Sequence, residues 1–176
     1  MTTTASASVH ASAVRVENRA VLIRGPSGAG KSHLAFDLIL AGRSGQLPSA
    51  MLVGDDRVHL EASNGQVVVR PARELTGLIE IRGLGIRRCD FAKEAIVGLV
   101  VDLSAPDAAR LPEEPEARRT RICGVEIPRI PVGAGYAALP LVLAALIMAE
   151  SSAFAQSPAD CSKGIGNHIS PTIATE

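Results

Sequence analysis

The segment GPSGAGKS, from Gly25 to Ser32, has the residue types and spacing of a phosphate-binding loop. Glycines let backbone N–H groups turn onto phosphate oxygens, a lysine reaches the outer phosphates, and the hydroxyl after it can bind Mg²⁺. An apolar run, AVLIR, precedes the loop and a helix-like segment follows it, as a phosphate site between a strand and a helix requires. The spacing predicts a nucleotide site formed by Gly25, Pro26, Ser27, Gly28, Ala29, Gly30, Lys31 and Ser32.

Acidic residues follow other apolar runs. VGDD ends in Asp55 and Asp56; one could bind a metal and the other accept a proton from an attacking hydroxyl, or both could cap a solvated turn. VVDL carries Asp102 as its third residue, which is either a rival metal-binding acid or an ordinary strand end. IEIRGLGIRR combines Glu80 with three arginines, which could hold a second metal and a phosphoryl group or form a basic turn. His10 stands alone in the sequence, which favours a surface residue.

The elements that must position these residues follow from the hydrophobic pattern. AVRVENRAVLIRG predicts a hairpin that leads into the loop, KSHLAFDLILAG a mostly buried helix, and AMLVGDD a short strand. RVHLEASNGQVVVR predicts a second hairpin around Asn64-Gly65, and EAIVGLVVDL predicts a strand buried on both faces. VEIPRIPV contains Pro128 and Pro131 and predicts an edge strand. The apolar segment from Leu139 to Ser157 predicts a buried helix, since it is too short to span a membrane.

Composition limits the class of protein. Of the 176 residues 47% are hydrophobic and 20% charged, which fits one globular domain. Eighteen basic and eighteen acidic residues cancel and only 2% are aromatic, so we expect neither nucleic-acid nor membrane binding. Cys89, Cys123 and Cys161 have no paired spacing, which predicts a cytoplasmic protein without disulfides. The polar tail 157–176 is expected to be disordered.

Together these motifs resemble those of the HPr kinase/phosphorylase family. EIRGLGI, from Glu80 to Ile86, looks like the signature of that family, GPSGAGKS resembles its phosphate loop, and LVGDDRV resembles its acidic strand. The dipeptide Val9-His10 precedes the loop at the separation typical of the family, and ARLPEEPE places Arg110 about where the family has an active-site arginine. The resemblance extends from Val9 to about Ala149, and the combination of motifs is specific where any one alone would be weak.

The resemblance implies an α/β, phosphate-loop catalytic domain over residues 1–156, similar to the core of phosphoenolpyruvate carboxykinase and assembled as a homo-hexamer. It implies that ATP and Mg²⁺ are used to phosphorylate a seryl hydroxyl of HPr, a small phosphocarrier protein of the phosphotransferase system. It also implies the reverse reaction, phosphorolysis with release of pyrophosphate. The implied roles are phosphate binding by Lys31, Mg²⁺ binding by Ser32 and Glu80, and proton transfer by Asp55 or Asp56, with His10 and Arg110 completing the site.

The chain also departs from the family pattern. It lacks the separate N-terminal domain, so it resembles a short type with the catalytic domain only. The family loop Pro-Val-Arg-Pro-Gly-Arg-Asn becomes PVGAGYA, from Pro131 to Ala137, and both arginines are absent; Arg118 or Arg129 would restore the charge if the fold brought them into that space. Two alternatives stay open: a small-molecule kinase with the same loop, and a nucleotide-binding regulatory module without catalysis, which the altered loop favours.

Overall fold

A computed structural model of the chain describes residues 7–111 and 115–148. Within these ranges the strands are β1 (Ala7–Val9), β2 (Ser12–Val16), β3 (Arg19–Arg24), β4 (Ala50–Gly54), β5 (Val58–Ser63), β6 (Gln66–Pro71), β7 (Leu78–Ile81), β8 (Gly85–Arg88), β9 (Ala95–Leu103), β10 (Arg119–Ile122) and β11 (Val125–Val132). The helices are α1 (Lys31–Arg43) and α2 (Ala138–Ile147), with short 3-10 turns at Arg73–Leu75 and Pro115–Arg118. The tail 157–176, predicted to be disordered, lies outside the described residues.

The main sheet has the strand order β1-β5-β6-β9-β3-β2-β4. Strand β11 runs parallel to the second half of β9, β10 pairs with β11, and β9 is also parallel to β3. The pairs β2–β3, β2–β4 and β5–β6 are antiparallel. Strands β7 and β8 form a separate two-stranded hairpin. The α/β class and the position of the phosphate loop, between a strand and a helix, are confirmed.

Two apolar cores cover the two faces of the main sheet. Side chains alternate along β3, so Val21 and Ile23 face one core while Ala20 and Leu22 face the other. Helices α1 and α2 cover the first core. The second core contains apolar side chains from β5, β6 and β9 of the same sheet and from β10 and β11. The phosphate-loop strand is therefore held from both sides, which fixes the loop that follows it.

The predicted hairpin turn at Asn64-Gly65 joins β5 to β6. Both residues have positive φ, 51° and 73°, as a type I′ turn requires and as Asn-Gly favours. Asn64 lines a cleft together with Asn18 and Glu94. Asn18 precedes β3 and Glu94 precedes β9, so this turn lies at the end of the two strands that is opposite to the phosphate loop.

One sequence-based expectation holds and another needs correction. VEIPRIPV has the edge character predicted from its prolines, because its first half pairs only with β10 and its second half only with β9. Each proline has a partner strand on one side, which explains why the missing N–H is tolerated. Helix α2 forms in the predicted segment, of which residues 149–157 lie outside the described residues. The prediction that it is buried needs correction, since Val142 is fully buried whereas Leu141 and Ile147 are 45% and 61% exposed.

Candidate active site

The direction of the strands explains why the predicted site residues lie at the same end of the sheet. Strands β3, β9 and β11 are parallel, and β4 runs in the same direction as β3 because both are antiparallel to β2. The chain therefore brings five segments to one end of these strands, the edge of the sheet at which parallel strands finish. They are the segments that follow β3, β4, β9 and β11 and the segment that precedes β2. This edge carries the phosphate loop, the acidic pair, His10 and the start of the PVGAGYA loop.

The phosphate loop turns at its glycines. Gly25, Gly28 and Gly30 have φ values of 150°, 78° and 95°, which only glycine adopts without strain. A Cβ on Gly25 would lie 3.0 Å from the Cβ and carbonyl oxygen of Leu103, so a side chain is also excluded by space. Helix α1 begins directly after the loop at Lys31. Its free N–H groups and positive dipole end favour phosphate oxygens there.

Lys31 is buried, with 6% of its surface exposed. Its Nζ donates to the carbonyl oxygens of Gly25 and Pro26, at 2.9 and 3.0 Å, so the loop wraps around its own ammonium group. Ser32 follows on the first turn of α1 and is partly buried. A nucleoside triphosphate with Mg²⁺ requires an ammonium group and loop N–H groups for its phosphates and a hydroxyl for the metal. Lys31, the loop and Ser32 fit this requirement.

The two adjacent acids have different environments. Asp55 is 2% exposed, and its Oδ1 accepts a hydrogen bond from Ser12 Oγ at 2.5 Å while its Oδ2 accepts one from the Glu80 N–H at 3.1 Å. The Asp56 side chain is 63% exposed, and its Oδ1 lies 2.9 Å from His10 Nε2. Asp55 is thus committed to internal contacts, whereas Asp56 faces solvent beside a histidine. His10, isolated in the sequence, is brought to the acidic pair by the fold.

Glu80 lies on β7 of the β7–β8 hairpin and is exposed. Its backbone is fixed by the bond to Asp55, so the hairpin begins beside the acidic pair. Over residues 7–111 and 115–148 no group of three His, Cys, Asp or Glu side chains forms a metal site. A magnesium site made from Ser32 and Glu80 therefore needs phosphate oxygens and water as its other ligands.

Asp102, considered above as a metal-binding acid, is neutralised by two arginines. Arg24 donates from Nε and Nη2 to its two oxygens, both at 2.7 Å, and Arg129 Nε donates to Oδ2 at 2.5 Å. Burial raises the pKa of Asp102, but the hydrogen bonds from Arg24 and Arg129 outweigh it and hold that pKa below its ordinary value. Asp102 therefore ties the ends of β3, β9 and β11 together.

Sequence reasoning missed this network of Arg24, Asp102 and Arg129, although a signal existed. Arg24 is the last residue of AVLIR and Asp102 the last but one of VVDL, and parallel pairing of the two strands places them opposite each other. Arg129 also holds Asp107, at 2.6 and 3.0 Å, and the carbonyl oxygen of Ala117 at 3.0 Å. The network thus anchors the segment that carries Arg110.

Arg110 is exposed, and no hydrogen bond or ion pair within the described part of the chain joins it to Lys31, Asp56 or Glu80. The PVGAGYA loop leaves the end of β11, where the Val132 carbonyl oxygen accepts a hydrogen bond from the Ala105 N–H at 2.8 Å. Tyr136 in this loop is 78% exposed. Arg129 does not replace the missing loop arginines, since two carboxylates hold it in the network.

The fold and this edge define a phosphate-loop α/β protein with a carboxylate–histidine pair at the same end of the sheet as its loop. Neither α1 nor α2, the helices of the described residues, is long and apolar enough to cross a membrane. The chain belongs to the HPr Serine kinase C-terminal domain family, whose model matches residues 2–160. The resemblance inferred from the motifs is thereby confirmed.

Individual relatives agree with this assignment. The HPr kinase/phosphorylase of Mycoplasma mycoides subsp. mycoides SC is 33% identical over 158 residues, which are 80% of this chain and 47% of the relative. The enzyme of the same name from Geobacillus thermodenitrificans is 34% identical over 134 residues, 70% of this chain and 41% of the relative. The chain therefore spans less than half the length of these two relatives. The structure of the Hpr(Ser) kinase/phosphatase from Coxiella burnetii matches with a TM-score of 0.63 and 27% identity, over 80% of this chain and 88% of that one.

Proposed function

We propose that this chain is an ATP-dependent serine kinase whose acceptor is an HPr-type phosphocarrier protein. The observation that carries the proposal is the exposed Asp56, held 2.9 Å from His10, at the sheet edge that also bears Lys31 and its loop. A nucleotide site alone would fit many proteins. A solvent-facing carboxylate beside that site, oriented by a histidine, is what a hydroxyl acceptor needs. Family membership supports the same acceptor class.

The phosphate end of ATP lies in the loop under this proposal. The N–H groups of the loop and of the first turn of α1 bind its oxygens, and the Lys31 ammonium leaves the Gly25 and Pro26 carbonyl oxygens for the β- and γ-phosphates. Ser32 and Glu80 are the residues that would hold Mg²⁺, which offsets phosphate charge when bound. Arg82 and Arg110 are the further cations that offset charge on the transferring group.

Asp56 is the proton acceptor in this proposal. It takes the proton of the attacking seryl hydroxyl, the new O–P bond forms to the γ-phosphorus, and the bond between that phosphorus and the bridging oxygen breaks to release ADP. His10 Nε2 orients the Asp56 carboxylate. Asp55 is unsuited to the role because its two oxygens already accept hydrogen bonds from Ser12 and from the Glu80 N–H. In the reverse direction Asp56 returns the proton to the seryl oxygen.

The direct experiment is to incubate the chain with ATP, Mg²⁺ and HPr-type phosphocarrier proteins encoded in the same genome. A mass increase of one phosphoryl group, placed on a serine by fragmentation, supports the proposal. Omission of ATP and the Lys31→Ala variant are the controls, and both should give unmodified acceptor. If ATP binds but no phosphocarrier is modified at any enzyme concentration, the kinase proposal is wrong.

A second candidate function is a nucleotide-binding regulatory module, favoured by the PVGAGYA loop without its arginines. It predicts ATP binding with no transfer to any acceptor, so the same incubation separates the two. We also propose a cytoplasmic homo-oligomer, a hexamer by family resemblance. Sedimentation velocity of the purified chain tests the assembly, and a monomer at assay concentration would overturn it.

A further inference from the structure

The β7–β8 hairpin has one inward and one outward face. Ile79 and Ile81 point inward and pack against the core beneath α1. Cross-strand pairing places Glu80 opposite Ile86 and Leu78 opposite Arg88. Because side chains alternate along a strand, these two pairs share the outer face.

This outer face is both apolar and cationic. Leu84 at the turn is 61% exposed and Ile86 is 64% exposed. Arg88 on this face and Arg82 beside the turn are also exposed, and neither contacts a carboxylate within the described ranges. Arg87 lies opposite the inward-facing Ile79 and is not part of this face. Exposed large apolar side chains beside unpaired arginines are the composition of a protein-recognition surface.

The surface adjoins the proposed phosphoryl-transfer site. The Glu80 N–H is bound to Asp55 at 3.1 Å, and Asp55 is the neighbour of Asp56. Directly opposed residues of an antiparallel pair have Cβ atoms about 5 Å apart, so Ile86 lies next to Glu80. A protein that brings a seryl hydroxyl to Asp56 and the Glu80 carboxylate must therefore place its neighbouring surface over this hairpin.

We propose that Leu84, Ile86 and Arg88 form the docking surface for the acceptor protein. The surface fits an acceptor with apolar side chains bordered by carboxylates close to its seryl residue, because Arg82 and Arg88 have no anionic partner among residues 7–111 and 115–148. The inference rests on the proposed kinase function and specifies which surface selects the acceptor. It assigns Leu84, Ile86 and Arg88 to acceptor binding and leaves phosphate and metal binding to the loop before α1 and to Glu80.

Ile86→Glu tests the apolar part of the proposed docking surface, and Arg88→Glu tests its charge. Ile147→Glu, on the 61% exposed Ile147 of α2, and Arg19→Glu, at the start of β3, are matched controls outside the hairpin. The measurements are calorimetric affinity for the HPr-type phosphocarrier, KM for that protein and KM for ATP. We expect each hairpin variant to weaken acceptor binding and raise the KM for the acceptor about tenfold, with the KM for ATP unchanged. Added salt should weaken acceptor binding by the wild type more than acceptor binding by Arg88→Glu.

Each outcome decides the inference. Acceptor affinities equal to those of the controls, in variants whose melting temperatures match the wild type, overturn it. Dissociation of an oligomer by Ile86→Glu with acceptor affinity unchanged would assign the surface to a second copy of the chain and also overturn it. If the wild type binds the phosphocarrier through the hairpin but never phosphorylates it, the kinase proposal fails and the docking surface stands. If the wild type binds no phosphocarrier, the docking surface is wrong.

Discussion

Ser12 donates its hydroxyl hydrogen to Oδ1 of Asp55 at 2.5 Å, and both residues are almost fully shielded from solvent. The two lie 43 positions apart and join the start of β2 to the segment after β4. The next residue, Asp56, has a left-handed backbone with φ of 63° and turns outward. The fold thus separates two adjacent carboxylates, one internal and one facing the site.

This separation predicts opposite effects of two isosteric substitutions. Asp56→Asn removes the proposed base and should lower the rate of phosphoryl transfer on the order of 10²-fold, while ATP affinity and the free energy of unfolding stay near the wild type. Single-turnover transfer to the phosphocarrier is the measurement. Wild-type transfer by Asp56→Asn would show that this carboxylate is not the base.

The matched change Asp55→Asn should lower the free energy of unfolding. It leaves Ser12 and the Glu80 N–H bound to a neutral amide side chain, and a weakened buried hydrogen bond costs about 1–3 kcal/mol. Denaturant unfolding should show this loss for Asp55→Asn and a similar loss for Ser12→Ala. An Asp55→Asn variant of unchanged stability that loses transfer would reverse the roles of the two acids.

A third prediction concerns the loop. Lys31→Ala should abolish ATP binding, because the ammonium group supplies positive charge where the outer phosphates lie. Ser32→Ala should retain binding but require more Mg²⁺ for half-maximal activity. His33→Ala is the control, since the His33 side chain is 80% exposed and next in sequence. ATP affinity unchanged in a folded Lys31→Ala protein would refute the nucleotide site.

The Asp102 network predicts a pH-dependent stability. The pKa of Asp102 is lower in the folded chain than its ordinary value near 4, so its contribution is fully present above that value and is lost as pH falls through the lower folded pKa. Asp102→Asn should lose on the order of 3 kcal/mol of unfolding free energy at neutral pH, and the difference from wild type should shrink below pH 4.

Denaturant unfolding at several pH values measures this difference. Glu126→Gln is the control, because the pair of Glu126 with Arg119 is solvent-exposed and should contribute less than about 1 kcal/mol. A stability difference for Asp102→Asn that is the same at pH 7 and pH 3 would contradict the assigned role.

The altered loop predicts weak phosphorolysis. Inorganic phosphate must enter as a dianion, and PVGAGYA offers it no guanidinium group, while Arg129 is already bound to Asp102 and Asp107. We expect kinase activity without efficient pyrophosphate release. The double variant Gly133→Arg with Tyr136→Arg should lower the phosphate concentration for half-maximal release. The Tyr136 change is needed because a Cβ on Gly133 would lie 3.2 Å from that ring.

A phosphate titration with phosphorylated phosphocarrier, followed by pyrophosphate detection, makes the comparison. Gly133→Lys with Tyr136→Lys is a control for charge without bidentate geometry. Saturation of the wild type at low phosphate, at a rate matching the kinase direction, would show that loop arginines are not needed here.

The sequence predicted features that local patterns determine. The alternation of apolar and polar residues predicted the hairpins, the Asn64-Gly65 pair predicted a turn, and the spacing of the glycines predicted the phosphate loop. Contacts between distant strands were not predictable in this way. Arg24 and Asp102 are 78 positions apart, and Arg129 and Asp102 are 27 apart, so their meeting depends on the strand order β11-β9-β3.

The partners of β11 were also not predictable from local pattern. Two prolines favour an edge, since a central strand needs every N–H, and neither half of β11 has neighbours on both sides. The change of partner between Pro128 and Arg129 depends on contacts with distant strands. The exposure of Asp56 was equally hidden, because adjacent identical residues carry no signal about which one turns inward.

The Asn64-Gly65 turn offers a practical handle on this molecule. Both residues are exposed and lie beside Asn18 and Glu94, at the end of β3 and β9 remote from the loop. A short affinity peptide inserted between them, or a fluorophore attached at this turn, would extend into solvent without entering the site, because exposed turns tolerate insertions. Surface immobilisation through this point would leave the edge that bears Lys31 and Asp56 open to nucleotide and acceptor.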